Sequence, residues 1–137
     1  MLLSCAGLPT CTLVSSPLIF ACTAATYAEG TVLFLEDVNE APFRLDRALL
    51  QLRASGAFDG LRGVVFGDML SCSSPAAADY ALEDVLLGAF DGLDVPIALG
   101  LSSGHTKNPN VTLPFGARAR LVCAGDAARL EILEEAA

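Results

Sequence analysis

The sequence predicts an α/β domain of short parallel strands with crossover helices, closed by a C-terminal β-hairpin. Three observations predict it. Short apolar runs recur along the chain: Val32-Leu33-Phe34-Leu35, Gly63-Val64-Val65-Phe66-Gly67 and Val95-Pro96-Ile97-Ala98-Leu99-Gly100. Runs of this length with β-branched and aromatic members suit strands buried on both faces. Between them, apolar residues recur at helical spacing, first Leu45, Leu49 and Leu52, then Leu82, Val85, Leu86 and Phe90. Toward the C-terminus the period changes to two, in the stretches 118–123 and 128–133.

Residues 1–28 carry no charged side chain. A secretory signal would suit the apolar text and the small-rich Ala24-Ala25-Thr26-Tyr27-Ala28. It would not suit the lack of Lys or Arg ahead of the apolar region, or Pro9 and Pro17 within it. The prolines and the Ser/Thr content also deny the segment the ~20 apolar residues of a membrane span. The preferred reading is a buried helix plus connector. The expected division is therefore residues 1–28 as an N-terminal segment and residues 29–137 as the domain.

The first strand stops at Glu36-Asp37. Pro42 then fits the first turn of a helix, where a missing N–H costs nothing. Arg44, Asp46, Arg47 and Arg53 are interspersed among the leucines. The three arginines read as facing solvent or an acidic neighbour. Ser55-Gly56 stops the helix, as Gly does just past a helix end. Phe58-Asp59-Gly60 is a turn, and the second strand ends at Asp68. The interval between the two strands holds a crossover helix, so they read as parallel. A Ser- and Ala-rich loop follows, in which Ser74 or Asp79 is the expected cap of the second helix. Asp91-Gly92 ends that helix. Pro96 places the third run at a strand entry or an edge. Ala124-Gly125-Asp126-Ala127 is turn chemistry between the two alternating runs, which makes them a hairpin. The tail, Glu134-Glu135-Ala136-Ala137, is acidic.

The 137 residues suit one domain, and 53% hydrophobic against 18% charged residues is a core-forming composition. A net charge of −8 argues against nucleic acid or an anionic membrane as a partner. The five cysteines, Cys5, Cys11, Cys22, Cys72 and Cys123, form no CxxC pair. Their odd number and wide spacing indicate neither a disulfide framework nor a zinc site. They read as small buried hydrophobes in a reducing compartment.

Parallel topology has a chemical consequence. Glu36 and Asp37 follow the first strand, Asp68 follows the second, and His105, the one histidine, lies in the polar loop LSSGHTKNPN after the third. Ligands of open parallel sheets bind at the carboxyl ends of the strands. An acid and an imidazole on one rim allow three chemistries. Glu36 can orient His105 as a general base for a hydroxyl nucleophile. Glu36, Asp68 and His105 can bind a divalent metal, although the spacing is not that of a metal motif. The rim can also simply hold a polar ligand. A nucleophile is harder to find. There is no GxSxG elbow. Ser71, Ser73 and Ser74 lie on a long loop, Ser102 and Ser103 are too close to His105 in sequence for triad geometry, and Cys72 is a weak alternative.

Two blocks of residues carry a family resemblance. The first is Leu33-Phe34-Leu35-Glu36-Asp37-Val38, followed by Glu40-Ala41-Pro42-Phe43-Arg44-Leu45-Asp46-Arg47 and Gln51-Leu52-Arg53. The second is Gly100, Gly104-His105, Asn110-Val111-Thr112-Leu113-Pro114, Gly116 and Arg118-Ala119-Arg120-Leu121. With Gly63-Val64-Val65-Phe66-Gly67-Asp68 between them, the stretch 30–133 resembles the carboxy-terminal domain of the LD-carboxypeptidases. These are serine peptidases of murein recycling, related to microcin C immunity peptidases. Asn39 stands where the family usually has Gly, and Phe43 where Tyr is common.

The resemblance implies a swivelling β/β/α domain with its site facing a second domain. It implies a Ser-His-Glu triad in which Glu36 is the glutamate and His105 the histidine. The serine belongs to a separate amino-terminal domain not contained in this sequence. The chain is thus expected to be the Glu-His half of the site, inactive until a serine-bearing domain or partner chain completes it. The implied substrate is the L,D-amide bond between meso-diaminopimelate and the terminal D-alanine of a murein tetrapeptide. The implied compartment is the cytoplasm, the implied assembly a homodimer, and no cofactor or metal is implied. The alternative is a non-catalytic remnant or an interaction module of the same fold.

Overall fold

The computed structural model describes the backbone of residues 3–6, 11–15 and 18–20, and residues 30–73 and 81–133 in full. Their elements, in chain order, are β1 (Leu3–Ala6), β2 (Cys11–Ser15), β3 (Leu18–Phe20), β4 (Thr31–Leu35), α1 (Pro42–Ala54), β5 (Leu61–Gly67), α2 (Leu82–Gly88), β6 (Ile97–Leu101), β7 (Ala119–Ala124) and β8 (Ala127–Ile132). The strands form one eight-stranded sheet in the order β2-β7-β8-β1-β6-β5-β4-β3. From β3 through β4 and β5 to β6 the pairing is parallel. From β6 through β1 and β8 to β7 and β2 it is antiparallel. The expected α/β architecture, with its parallel strands, crossover helices and C-terminal hairpin, is the one found.

β4 and β5 are buried on both faces, and the period of two sorts their side chains. Leu33, Val64 and Phe66 join Leu45, Leu49, Phe58, Leu86 and Phe90 in the core beneath the two helices. Val32, Phe34 and Val65 join Leu121, Cys123 and Ala128 of the β7–β8 hairpin on the other face. The layers are therefore helices, parallel strands and hairpin, a β/β/α stack. Hairpin and strand approach closely at Gly63, where a Cβ would lie 3.0 Å from Leu121 Cδ2. Rings fill the helix-side core: Phe58 stacks on Phe90 at 4.4 Å between centroids, and Phe66 meets Phe90 edge-on at 5.9 Å.

The helix ends follow from sequence. Pro42 occupies the start of α1, behind Ala41, which makes no side-chain cap. At the other end Gly56, with φ +78°, donates its N–H to Arg53 O (3.0 Å), and Ala57 donates to Leu52 O (3.1 Å). This is a Schellman ending, which needs a residue able to adopt positive φ. Arg53 does not simply face water. Its guanidinium donates to the carbonyls of Ala89 (3.0 Å) and Asp91 (2.7 Å), closing the end of α2. The expected caps of α2, Ser74 and Asp79, lie outside the described residues; Ala81 holds the N-cap position without a side-chain bond.

The buried helix plus connector expected in residues 1–28 is a correction: every described part of that segment is strand. Thr12, Val14, Ile19 and Phe20 favour the pleated backbone, and a proline stands in each of the two intervals between β1, β2 and β3. Absence of charge carried no period because it carried no contrast. The segment also does not stand apart from the domain, since β1 pairs with both β6 and β8. Pro96 marks a strand entry rather than an edge: β6 lies inside the sheet, and Pro96 O accepts from Val64 N–H at 2.9 Å.

Candidate functional site

Glu36 is the first residue beyond β4, and His105 lies four residues beyond the end of β6. Because β4, β5 and β6 run parallel, all three deliver their following loops to one rim. Residues 69 positions apart in sequence meet there: His105 Nδ1 lies 3.1 Å from Glu36 Oε2 and 3.2 Å from Oε1. The backbone N–H of His105 donates to the same Oε2 at 3.1 Å. The glutamate side chain is 12% exposed and the imidazole 60%.

Two glycines make this contact sterically feasible. A Cβ on Gly67, the last residue of β5, would lie 2.8 Å from Glu36 Cβ and 3.0 Å from Ser103 O. A Cβ on Gly104 would lie 2.5 Å from Glu36 Cδ and 2.6 Å from Oε2. Gly104 also has φ +87°, a conformation that side chains disfavour. The carboxylate is thus held between two backbones that lack side chains at the point of approach.

The arrangement has definite electrostatic content. An ionised carboxylate offers only lone pairs, so Nδ1 carries the hydrogen of the bond to Glu36. In the neutral ring Nε2 is then left with its lone pair, on an imidazole largely open to solvent. With the hydrogen on Nδ1, the pair can accept a proton at Nε2, and the carboxylate can stabilise the imidazolium that results.

The other rim residues bond within the turns and loops beside the dyad. Asp37 Oδ1 accepts from Val38 N–H at 2.7 Å. Asp68 accepts from the Thr106 hydroxyl through Oδ2, and Thr106 Oγ1 accepts from Asn108 N–H at 3.0 Å. Asn110 Nδ2 donates to Gly104 O at 2.8 Å. Asp68 is therefore brought to the rim but bonded to the neighbour of His105, not to the dyad. No group of three or more His, Cys, Asp or Glu side chains able to hold a metal occurs among the described residues. Sequence reasoning gave Gly104, Thr106 and Asn110 no role of their own; the glycine-histidine pair and the Asn five residues later were visible, their contacts were not.

Among the described residues, no nucleophile candidate bonds to the imidazole. The hydrogen-bond partners of the His105 ring are both oxygens of Glu36, and no described serine hydroxyl is among them. Ser102 and Ser103 are buried at the base of the loop. Ser74 lies outside the described residues. Cys72 is buried, and that burial raises its thiol above its usual range, so its reactive thiolate is suppressed.

Comparison with known proteins identifies the family and the fold. Residues 7–121 match the model of the LD-carboxypeptidase C-terminal domain. The murein tetrapeptide carboxypeptidase of Pseudomonas aeruginosa is 33% identical over 106 residues, 74% of this chain and 34% of that protein. Among solved structures, the muramoyltetrapeptide carboxypeptidase of Oxalobacter formigenes superposes with a TM-score of 0.72 at 28% identity, covering 93% of this chain and 52% of that one. The microcin C7 self-immunity protein MccF, in complex with aspartyl sulfamoyl adenosine, reaches a TM-score of 0.74 at 19% identity over 98% of this chain and 42% of that one, a likeness of fold. The chain spans about a third of the length of the curated relatives it matches. Among the described residues no helix is long and apolar enough to cross a membrane.

Proposed function

Because the chain belongs to the LD-carboxypeptidase C-terminal domain family, we propose that it contributes the Glu36–His105 pair of a Ser-His-Glu peptidase site. The observation that carries this reading is the carboxylate seated against Nδ1 while the ring stays open on its other side. The serine comes from outside these residues, on a further domain or a partner chain that faces the rim. His105 Nε2 takes the proton of the attacking hydroxyl. Glu36 keeps the ring in the required tautomer and stabilises the imidazolium. The imidazolium then returns the proton to the departing amine.

The substrate proposed is the L,D-amide bond of a murein tetrapeptide, with release of terminal D-alanine. Its support is the activity for which the Pseudomonas and Oxalobacter relatives are named. With it go a place in murein recycling in the cytoplasm and a homodimeric assembly.

The test is D-alanine release from murein tetrapeptide. The 137-residue chain alone should turn over about 10⁶-fold more slowly than a complete enzyme, the scale of losing a triad serine. Adding a serine-bearing amino-terminal domain should restore activity, and Glu36→Gln should then lower kcat by roughly 10⁴-fold. Full turnover by the chain alone would refute the divided site, and an undiminished kcat in the Gln variant would refute the role of Glu36.

A further inference from the structure

We propose that Asp68, acting through Thr106, is a positioning residue that sets the angle at which His105 meets Glu36. The inference rests on the Glu36–His105 dyad and adds a third strand end to it.

His105 sits at the exposed tip of a loop, yet its ring must stay on one carboxylate. Most of the loop's hydrogen bonds join it to itself or to its own strand. Ser103 N–H donates to Leu101 O (2.7 Å), Val111 N–H to Ser102 O (2.7 Å), and Asn110 Nδ2 to Gly104 O (2.8 Å). These bonds shape the loop without reaching β4 or the end of β5. Apart from Glu36 itself, the described hydrogen bond that ties this loop to another strand's end is Thr106 Oγ1 to Asp68 Oδ2. Asp68 follows β5, the strand lying between those that carry Glu36 and His105.

The chemistry of the tie is directional. Thr106 Oγ1 accepts from Asn108 N–H, so the hydroxyl's own hydrogen is aimed at Asp68. A hydroxyl donating to a carboxylate is a charge-assisted bond, stronger than a neutral one. Thr is also stiff about χ1, so fixing its oxygen fixes the backbone beside it. His105 is then clamped through both neighbours: Gly104 by Asn110, and Thr106 by Asp68. Among the described contacts, the charged group that meets the ring is Glu36, from the β4 end.

His105 is the one histidine of the chain, so its ring tautomer can be read without assignment by long-range proton–nitrogen correlation of the ¹⁵N-labelled protein. The measurement is made at about pH 9, above the ordinary imidazole range. In the wild type the Nδ1–H form should predominate. Thr106→Val and Asp68→Ala should cut its share by at least half while the backbone amide spectrum stays folded. Thr106→Ser and Asp68→Asn, which keep a donor and an acceptor, should restore it. A merely structural tie would not move the tautomer. Retention of the wild-type ratio in folded Thr106→Val would overturn the proposal while leaving the dyad standing; if Asp68→Ala does not fold, Thr106→Val decides. Glu36→Ala separates the two levels: a wild type without an Nδ1–H excess, unchanged in Glu36→Ala, would sink the dyad and this inference with it.

Discussion

Gly104 is the residue at which backbone and chemistry are least separable. Any side chain there meets two difficulties, the positive φ of +87° and a Cβ placed 2.5 Å from Glu36 Cδ. The first costs on the order of 1–2 kcal/mol for a non-glycine residue. The second is relieved only by moving the Glu36 carboxylate, at the cost of its bonds from His105. Gly104→Ala should therefore lower stability by about 1–3 kcal/mol and push the His105 N–H off the carboxylate. A urea titration of the variant measures it, and an unchanged midpoint would mean that the loop relaxes at no cost. Gly100 and Gly116 also have positive φ but open space around the missing Cβ, so the same substitution there meets backbone strain alone.

At the level of elements, the two helices depend on one another through Arg53. Its fork serves carbonyls of Ala89 and Asp91 that the short α2 leaves without intrahelical partners. Hydrogen bonds from a charged donor contribute more than neutral ones, though solvent exposure tempers the gain. Arg53→Ala should cost about 1 kcal/mol, and Arg53→Lys should recover little of it, since an ammonium cannot bond two separated carbonyls as a planar fork does. Thermal unfolding of the two variants checks this; equal recovery by Lys would show that charge near the helix end suffices. The effect on the dyad should be small, because Arg53 lies at the opposite ends of the helices from the rim that follows the parallel strands.

For the whole molecule, the decisive feature is the place of β1. It lies between β6 and β8, joining the parallel half of the sheet to the hairpin. Removing residues 1–28 would expose unpaired edges on both sides of the gap, and such edges invite pairing with other chains. The truncated protein should lose its cooperative unfolding transition and aggregate, as seen by circular dichroism and light scattering. A stable monomer starting at Glu29 would show that β6 and β8 close without β1. The hairpin's packing on Val32, Phe34 and Val65 also keeps β4 and β5 buried on both faces, so loss of the joint would expose apolar surface as well as edges.

By itself the sequence determined what is local: strand and helix types, the Pro42 start and Gly56 stop, the hairpin turn, and the fact that an acid and a histidine each follow a strand. These are written in periods of two and 3.6 and in turn residues, which act over a few positions. Residues 1–28 show neither period, because an uncharged stretch has no polar face to mark one. Only the tertiary structure decided that β1 enters the middle of the sheet, that Gly67 and Gly104 clear a space for Glu36, and that Thr106 rather than the dyad takes Asp68. Those outcomes depend on which backbones come within a few ångströms of each other, and distance in space is not recorded in the order of residues.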